Sequence, residues 1–505
     1  KADEYFQQGL NDPEKGRLCY LLLADLKASK GQIEESLALI EMGEKLFPDT
    51  PSFLLEKVKR YRDLGKMIEM LELIQELNEK IPEHAFHKYF NRLTKIAYYQ
   101  LGEFDLLSKE DRGKKSLFTV KNEQGELIKL SIKPIIQKSN YCVPASLEMI
   151  LTYFGLNITQ DEIAAHIFDF TGSKLSTTVE YLEKNGFACR YFMGNKELYL
   201  ELLKKNIPIL LSVDFEHSSH VQVMTGYDSR FDFYHIQEPN LLDTMYMAAS
   251  DLEMANASTS YMSIVCVPKD RAKELSFLSK EEDDYFRRVQ DLGEKLEEDE
   301  GKYKEIFLGF LQANIDIPYT PIYVVKHFSF EEYSDFIVQC AKRLLSSYPE
   351  NDFMNLHVAQ AYMRLHKMEQ AREQLKHTAR KTFSPLYHFL NGRIALYFDE
   401  MTDAIHYFRN SLQLDPDQYY TWSYLALAYL YSEDVQKANY FSSISMDLAP
   451  KERFVRINHA AVLIEKQEFS EARSIYNQLI REVPEDGHAW YERARLDQKL
   501  GKIRK

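Results

Sequence analysis

Gln137-Lys138-Ser139-Asn140-Tyr141-Cys142-Val143-Pro144-Ala145-Ser146 is the stretch on which the middle of this 505-residue chain turns. After it, Leu147, Ile150, Leu151 and Phe154 recur at helical spacing until Gly155 ends the run. Proline fits an α-helix comfortably only in the first turn, where its missing N–H leaves no hydrogen bond unmade. Pro144 therefore predicts a helix that begins near Cys142 and carries the thiol at its N-terminus. Unpaired backbone N–H groups and the helix dipole favour a thiolate at that position. Gln137 lies five residues upstream, and its side-chain amide can join a backbone N–H in holding an oxyanion.

Strands and helices alternate around this helix, over residues 115–270. A hairpin is expected first, with strands at 117–120 and 127–132 joined by a turn through Gly125. Thr159-Gln160-Asp161-Glu162 reads as a capping box that opens a helix, and Thr177-Thr178-Val179-Glu180 reads as a second, with its helix closed by Gly186. Strands then gather at 187–193, 209–213, 221–227, 231–236 and 261–267, which makes this an α+β domain with its helices first and its sheet later. A thiol nucleophile needs a base, and His220 opens the strand that ends in Gly226-Tyr227-Asp228. The next strand ends in Glu238-Pro239-Asn240. Antiparallel neighbours would bring an acceptor there close to His220, to orient the imidazole. His217, three residues before His220, is the alternative base and reads better as a loop residue. His235 alternates into a strand as a packed or solvent-facing histidine. Cys189 and Cys266 in strands, and Cys19 and Cys340 in helices, read as core.

Together, Gln137, Asn140-Tyr141-Cys142-Val143-Pro144-Ala145-Ser146, the helix end Tyr153-Phe154-Gly155, His220 with Gly226-Tyr227-Asp228, and the acid-Pro-Asn stretch resemble the C39 family of papain-like cysteine peptidases over about residues 133–268. The resemblance implies a papain-like fold and cleavage of peptide bonds by a Cys-His pair with an oxyanion-hole glutamine, at Cys142, His220 and Gln137. Many members process leader peptides after a double glycine and are fused to an export transporter, and no transporter lies in these 505 residues. The family's third catalytic residue is usually Asp before Pro, whereas this chain has Glu238. Either the longer Glu238 reaches the imidazole, or Asn240 orients it as Asn does in papain-like enzymes generally.

The C-terminal third carries a repeat. Pro416, Pro450 and Pro484 are 34 residues apart, and small residues keep step: Gly392, Ala426, Ala460 and Ala494, then Ala404, Ala438 and Ala472. Two helices per 34 residues, small where they cross and followed by proline, resemble the tetratricopeptide repeat. Near the N-terminus, Gly31 to Gly65 and Pro48 to Pro82 repeat the spacing, with Ala24 in the first small position. A looser helical pair is expected over about 85–107. The expected organisation is thus tetratricopeptide-like helices at 1–114, the C39-like papain-fold domain at 115–270, degenerate helical repeats at 271–384 and tetratricopeptide repeats at 385–505. The chain stops soon after Gly501, where a first repeat helix would end, so either the native chain continues or that helix is a cap.

Composition sets the remaining bounds. With 63 Lys and Arg against 77 Asp and Glu the net charge is −14, which offers no broad basic surface and argues against nucleic acid as a partner. Five scattered cysteines form no disulfide framework and point to a reducing, cytoplasmic compartment. No stretch reaches the length of a membrane span. The sequence begins with Lys1, which leaves room for a targeting segment ahead of it. Neither HExxH, paired CxxC nor P-loop spacing occurs, so no cofactor or metal is expected. The reading is a cysteine peptidase whose peptide or protein substrate is held by the flanking repeats. Deamidase or transfer chemistry would use the same residues. A non-catalytic scaffold or receptor with an inactive papain-like domain is the alternative, and the oligomeric state is open.

Overall fold

The computed structural model describes residues 2–12, 15–48, 50–80, 86–107, 117–138, 140–169, 172–214, 219–328, 330–349, 351–379, 383–484 and 486–500. It forms two compact units, residues 1–309 and 310–505.

The first unit opens with antiparallel helix pairs, Gly16–Ser29 with Ile33–Leu46 and Pro51–Asp63 with Met67–Lys80, followed by His87–Leu101 and the short Phe104–Leu107. Each pair turns on a left-handed glycine, Gly31, Gly65 or Gly102 (φ 74°, 69° and 78°), a conformation that costs glycine nothing. The sheet follows. Its strands are β1 (Leu127–Lys129), β4 (Phe187–Met193), β5 (Ile209–Asp214), β6 (Ser219–Asp228), β7 (Phe233–Gln237), β8 (Thr244–Ala248) and β9 (Met262–Pro268), while β2 (Phe168–Asp169) and β3 (Gly172–Ser173) make a separate two-residue hairpin. The order is β4-β9-β5-β6-β7-β8, antiparallel throughout, with β1 added on β6. Nine of the ten β6 residues are buried, so both faces of this central strand are covered. On one face Ile209, Leu211, Met224, Ile236 and Val265 pack with Tyr199, Leu202 and Leu203 of the helix Lys196–Lys204 and Leu252 of the helix Ala249–Asn256. The Cys142 helix (Cys142–Tyr153) also packs on β6, where the Ser146 hydroxyl donates to the Val221 carbonyl.

Several expectations change here. Residues 117–120 are not a strand: Phe118 buries among Tyr99, Phe231, Phe233 and Tyr246, and that aromatic cluster, rather than a ladder, takes the apolar side chains. The strand expected at 127–132 covers only β1, which pairs with residues 226–228 instead of forming a hairpin. Gly125 still makes a tight turn, where a methyl would come within 2.6 Å of the Arg230 nitrogen. The capping box at Thr159 is present, with both reciprocal bonds to Glu162. The second is absent, because the helix starts earlier, at Leu175, and the Thr177 and Thr178 hydroxyls bond back to the Lys174 carbonyl. Strand β8 and the β2–β3 hairpin add to the expected set.

Two elements outside the sheet complete this unit. Tyr99, from the helix His87–Leu101, donates its hydroxyl to the fully buried Asp228 (2.8 Å) and meets His235 Nε2 (2.9 Å), tying the N-terminal helices to β6 and β7. The helix Lys280–Glu298 closes the β4 edge: Asp283 accepts from Tyr191 N (2.9 Å) and Glu282 from Met193 N (2.8 Å), which satisfies backbone donors that an open edge would leave unpaired.

In the second unit the helix pairs are Asp352–Arg364 with Met368–Leu375, Pro385–Tyr397 with Met401–Leu414, Tyr419–Tyr431 with Val435–Leu448, and Arg453–Glu465 with Phe469–Glu482; the helix Gly487–Lys499 follows. Ala404, Ala426, Ala438, Ala460 and Ala472 are fully buried at the crossings, and a methyl on Gly392 would lie 2.5 Å from the Phe408 ring. The turns repeat too, with Asp399, Glu433 and Gln467 left-handed at intervals of 34. Helical repeats therefore precede and follow a central antiparallel sheet. No helix among the described residues is long and apolar enough to cross a membrane.

Candidate active site

Asn140 takes the left-handed conformation (φ 61°), which Asn tolerates better than most residues, and turns the chain into the Cys142 helix. Cys142 is the first helical residue and Pro144 sits in the first turn, as the sequence requires. Cys142 is half-buried, and the residue before it, Tyr141, packs its ring against Phe168 (centroids 4.8 Å apart).

His220 enters from β6. Its imidazole is close enough to the Cys142 thiol to interact with it, and its Nε2 meets Glu238 Oε1 at 2.7 Å. With Nε2 on the carboxylate, Nδ1 is the nitrogen left for the thiol. The β6–β7 register pairs Val223 with Gln237, so residue 238 falls beside the start of β6. His220 and Gln222, two apart on one strand, share a face and both reach Glu238; Gln222 Nε2 donates to Oε2 at 2.5 Å. Asn240 donates to Oε1 from its backbone N (3.0 Å) and from Nδ2 (2.9 Å). Of the two residues left open as acceptor, Glu238 touches the imidazole and Asn240 touches Glu238. Four hydrogen bonds offset the cost of burying this carboxylate.

The electrostatics follow from these contacts. Burial pushes the His220 imidazole down, but the hydrogen bonds and charges of Cys142 and Glu238 outweigh it and carry the group up to about 9. Burial pushes the Glu238 carboxyl up, and His220, Asn240 and Gln222 outweigh that, leaving it below the ordinary carboxylate value. The buried imidazole faces a carboxylate on one side and Cys142 on the other. Such a group can hold the thiol proton and return it to a leaving group.

Gln137 lies outside the helices and strands, its backbone N–H bound to the Pro239 carbonyl at 2.8 Å and its Oε1 buried without a hydrogen-bond partner among the described residues. His217 lies outside the described residues. His235 is packed, not solvent-facing: burial, with Lys129 adding to it, holds it down to about 4. Cys189, Cys266 and Cys340 are buried, and burial pushes the latter two up to about 12. Cys19 is half-buried in a helix. Sequence reasoning missed Gln222, although its place two residues after His220 was the available signal. No group of three or more His, Cys, Asp or Glu side chains among the described residues is placed to hold a metal ion.

Residues 129–268 match the model of the Peptidase_C39 like family. No curated protein matches the chain. Solved structures to which it is similar include a thermophilic TPR protein of Thermus thermophilus (16% identical, covering 32% of this chain and 90% of that one, TM-score 0.30). A tetratricopeptide repeat protein from Parabacteroides merdae (18% identical, 35% and 74% covered, TM-score 0.29) is another. MamA from Desulfovibrio magneticus is a third (14% identical, 30% and 85% covered, TM-score 0.27). Over residues 129–268 the chain thus carries a Peptidase_C39-like domain, set among helical repeats.

Proposed function

We propose that this protein is a cysteine peptidase in which Cys142 is the nucleophile, His220 the base and then the acid, Glu238 the imidazole-orienting carboxylate and Gln137 an oxyanion donor. The observation that supports it is the 2.7 Å bond of His220 to Glu238, with His220 near enough to Cys142 to interact with it, inside a domain that matches a peptidase family. His220 takes the thiol proton, and the Cys142 sulfur bonds to the scissile carbonyl carbon. The resulting oxyanion is held by the Gln137 amide and a backbone N–H at the helix start. The C–N bond then breaks as the imidazolium protonates the amine. Water, deprotonated by His220, hydrolyses the thioester and frees Cys142.

The division at 1–114, 115–270, 271–384 and 385–505 belongs to this proposal, with the helical arrays gripping a peptide or protein substrate outside the cleft. Exposed Tyr397 and Tyr431, 34 residues apart on successive first helices, are candidate gripping side chains. Remote contacts of this kind can orient a substrate at the reacting centre. The test is to incubate the full chain and a Cys142→Ala variant with a proteome-derived peptide library and read new termini by mass spectrometry. New termini only with the native thiol support the reading. Conversion of glutamine to glutamate without new termini would assign deamidation to the same residues. No Cys142-dependent change at all, in a folded protein, would leave the scaffold or receptor.

A further inference from the structure

The geometry points to Gln160 as a positioning residue that holds Gln137 in place, an inference that rests on the oxyanion role proposed for Gln137. Gln160 is the first residue of the helix Gln160–Ile167, a place where a side chain ordinarily meets water, and its neighbours Asp161 and Glu162 do so. Gln160 instead is only 8% exposed. Its amide turns inward onto the segment that carries Gln137. Gln160 Oε1 accepts from Lys138 N at 2.9 Å, and Gln160 Nε2 donates to the Ile136 carbonyl at 2.8 Å. One side-chain amide therefore brackets Gln137 through the residues before and after it. Exchanging the amide's oxygen and nitrogen would set donor against donor and acceptor against acceptor, so the partners fix its orientation.

The bracket is anchored to the rest of the site. Gln160 N donates to Glu148 Oε2 at 2.6 Å, and Glu148 lies on the Cys142 helix. The capping box of Thr159 and Glu162 fixes the same turn from the other side, and Lys138 pairs with Asp161. The backbone of Gln137 itself is bound to Pro239, the residue after Glu238. The oxyanion segment is thereby referenced both to the thiol helix and to the acidic turn. An oxyanion donor acts by being held where charge will develop, and a misplacement of about 1 Å can cost about a hundredfold in rate.

The test compares two reagents on Cys142 in the full chain, with modification located by mass spectrometry and Cys142→Ala as the blank. Iodoacetamide forms the S–C bond as iodide leaves, by displacement at a saturated carbon, and makes no oxyanion. p-Nitrophenyl acetate acylates the thiolate through a tetrahedral oxyanion that expels p-nitrophenolate, so its rate depends on the donors. Gln160→Ala, and Gln160→Met as a variant that keeps the side chain's bulk, should lower acylation by about tenfold to a hundredfold relative to alkylation. In a Gln137→Ala background, where the donor is gone, either Gln160 substitution should change the ratio no further. An unchanged ratio in the single variants overturns the inference, as does an equal fall in both backgrounds, which marks a structural residue. A Cys142 inert to both reagents in the native chain would instead overturn the peptidase reading on which the inference rests.

Discussion

Glu238→Gln isolates what the carboxylate contributes to His220. The imidazole stands at about 9 against an ordinary 6.5, held there by Cys142 and Glu238 against the opposing effect of burial. Glutamine keeps the side chain's length and an oxygen for Nε2 but removes the charge. A hydrogen bond to a charged group is worth about 1.5–3 kcal/mol and one between neutral groups about 0.5–1.5, so the substitution should cost the imidazolium about 1–1.5 kcal/mol. At 1.36 kcal/mol per unit, the imidazole should fall by about one pKa unit. Isotope-labelled histidine, with the His220 signal assigned by its loss in a His220→Gln variant, gives the titration directly by NMR. Asn240→Ala, which removes a partner of Glu238 but leaves the carboxylate on the ring, should move it by less. An unchanged midpoint in Glu238→Gln, or a larger shift in Asn240→Ala, would refute the assignment of Glu238 as the imidazole's partner.

The same pair sets a pH dependence. His220 is raised, so its stabilising contribution is complete below 6.5 and lost as pH rises through about 9, while Glu238 is lowered and contributes above 4.5. The melting temperature of the native chain should therefore fall more between pH 6.5 and 9 than that of Glu238→Gln; parallel curves would contradict this. Iodoacetamide at neutral pH should label Cys142 first, Cys19 more slowly, and the buried Cys189, Cys266 and Cys340 last, since burial raises all three; uniform labelling of the five would remove Cys142 from the site. Asp283→Ala strips the Tyr191 N–H of its acceptor, and at about 2 kcal/mol hydrogen exchange over β4 should quicken by about 30-fold, whereas Asp283→Asn keeps an acceptor and should stay close to native. Gly392→Val drives carbon into the Phe408 ring and should destabilise the second unit by about 1–3 kcal/mol, followed by fluorescence of Trp422 and Trp490, while Gly487→Ala, with open space around it, should cost less than about 1 kcal/mol.

Local rules make much of this protein legible from its amino acids alone. Pro144 sets the start of the Cys142 helix because a proline further into a helix would remove one of its hydrogen bonds and clash with the preceding turn. Thr159 and Glu162 set the next helix because the capping box is complete within four residues. The small residues and prolines at intervals of 34 announce helix pairs, since close crossings and helix stops recur with the unit that makes them. His220 and Glu238 can be brought together on paper because they flank adjacent strands of one antiparallel pair.

What tertiary structure alone decided lies in contacts between distant segments. Phe118 left its expected strand for an aromatic cluster with Tyr99, Phe231 and Tyr246, because apolar burial is non-directional and can outweigh a short edge ladder. That Glu238 rather than Asn240 meets the His220 ring is a contact between two separate segments, which neither segment's sequence fixes alone. The closure of β4 by Asp283, the junction of Tyr99 with Asp228, and the bracket of Gln160 around Gln137 span 92, 129 and about 23 residues of sequence. No local periodicity encodes them. Each exists because a buried backbone or side-chain polar group must find a partner once the surrounding chain has excluded water, and which partner is in reach is known only when the chain has folded.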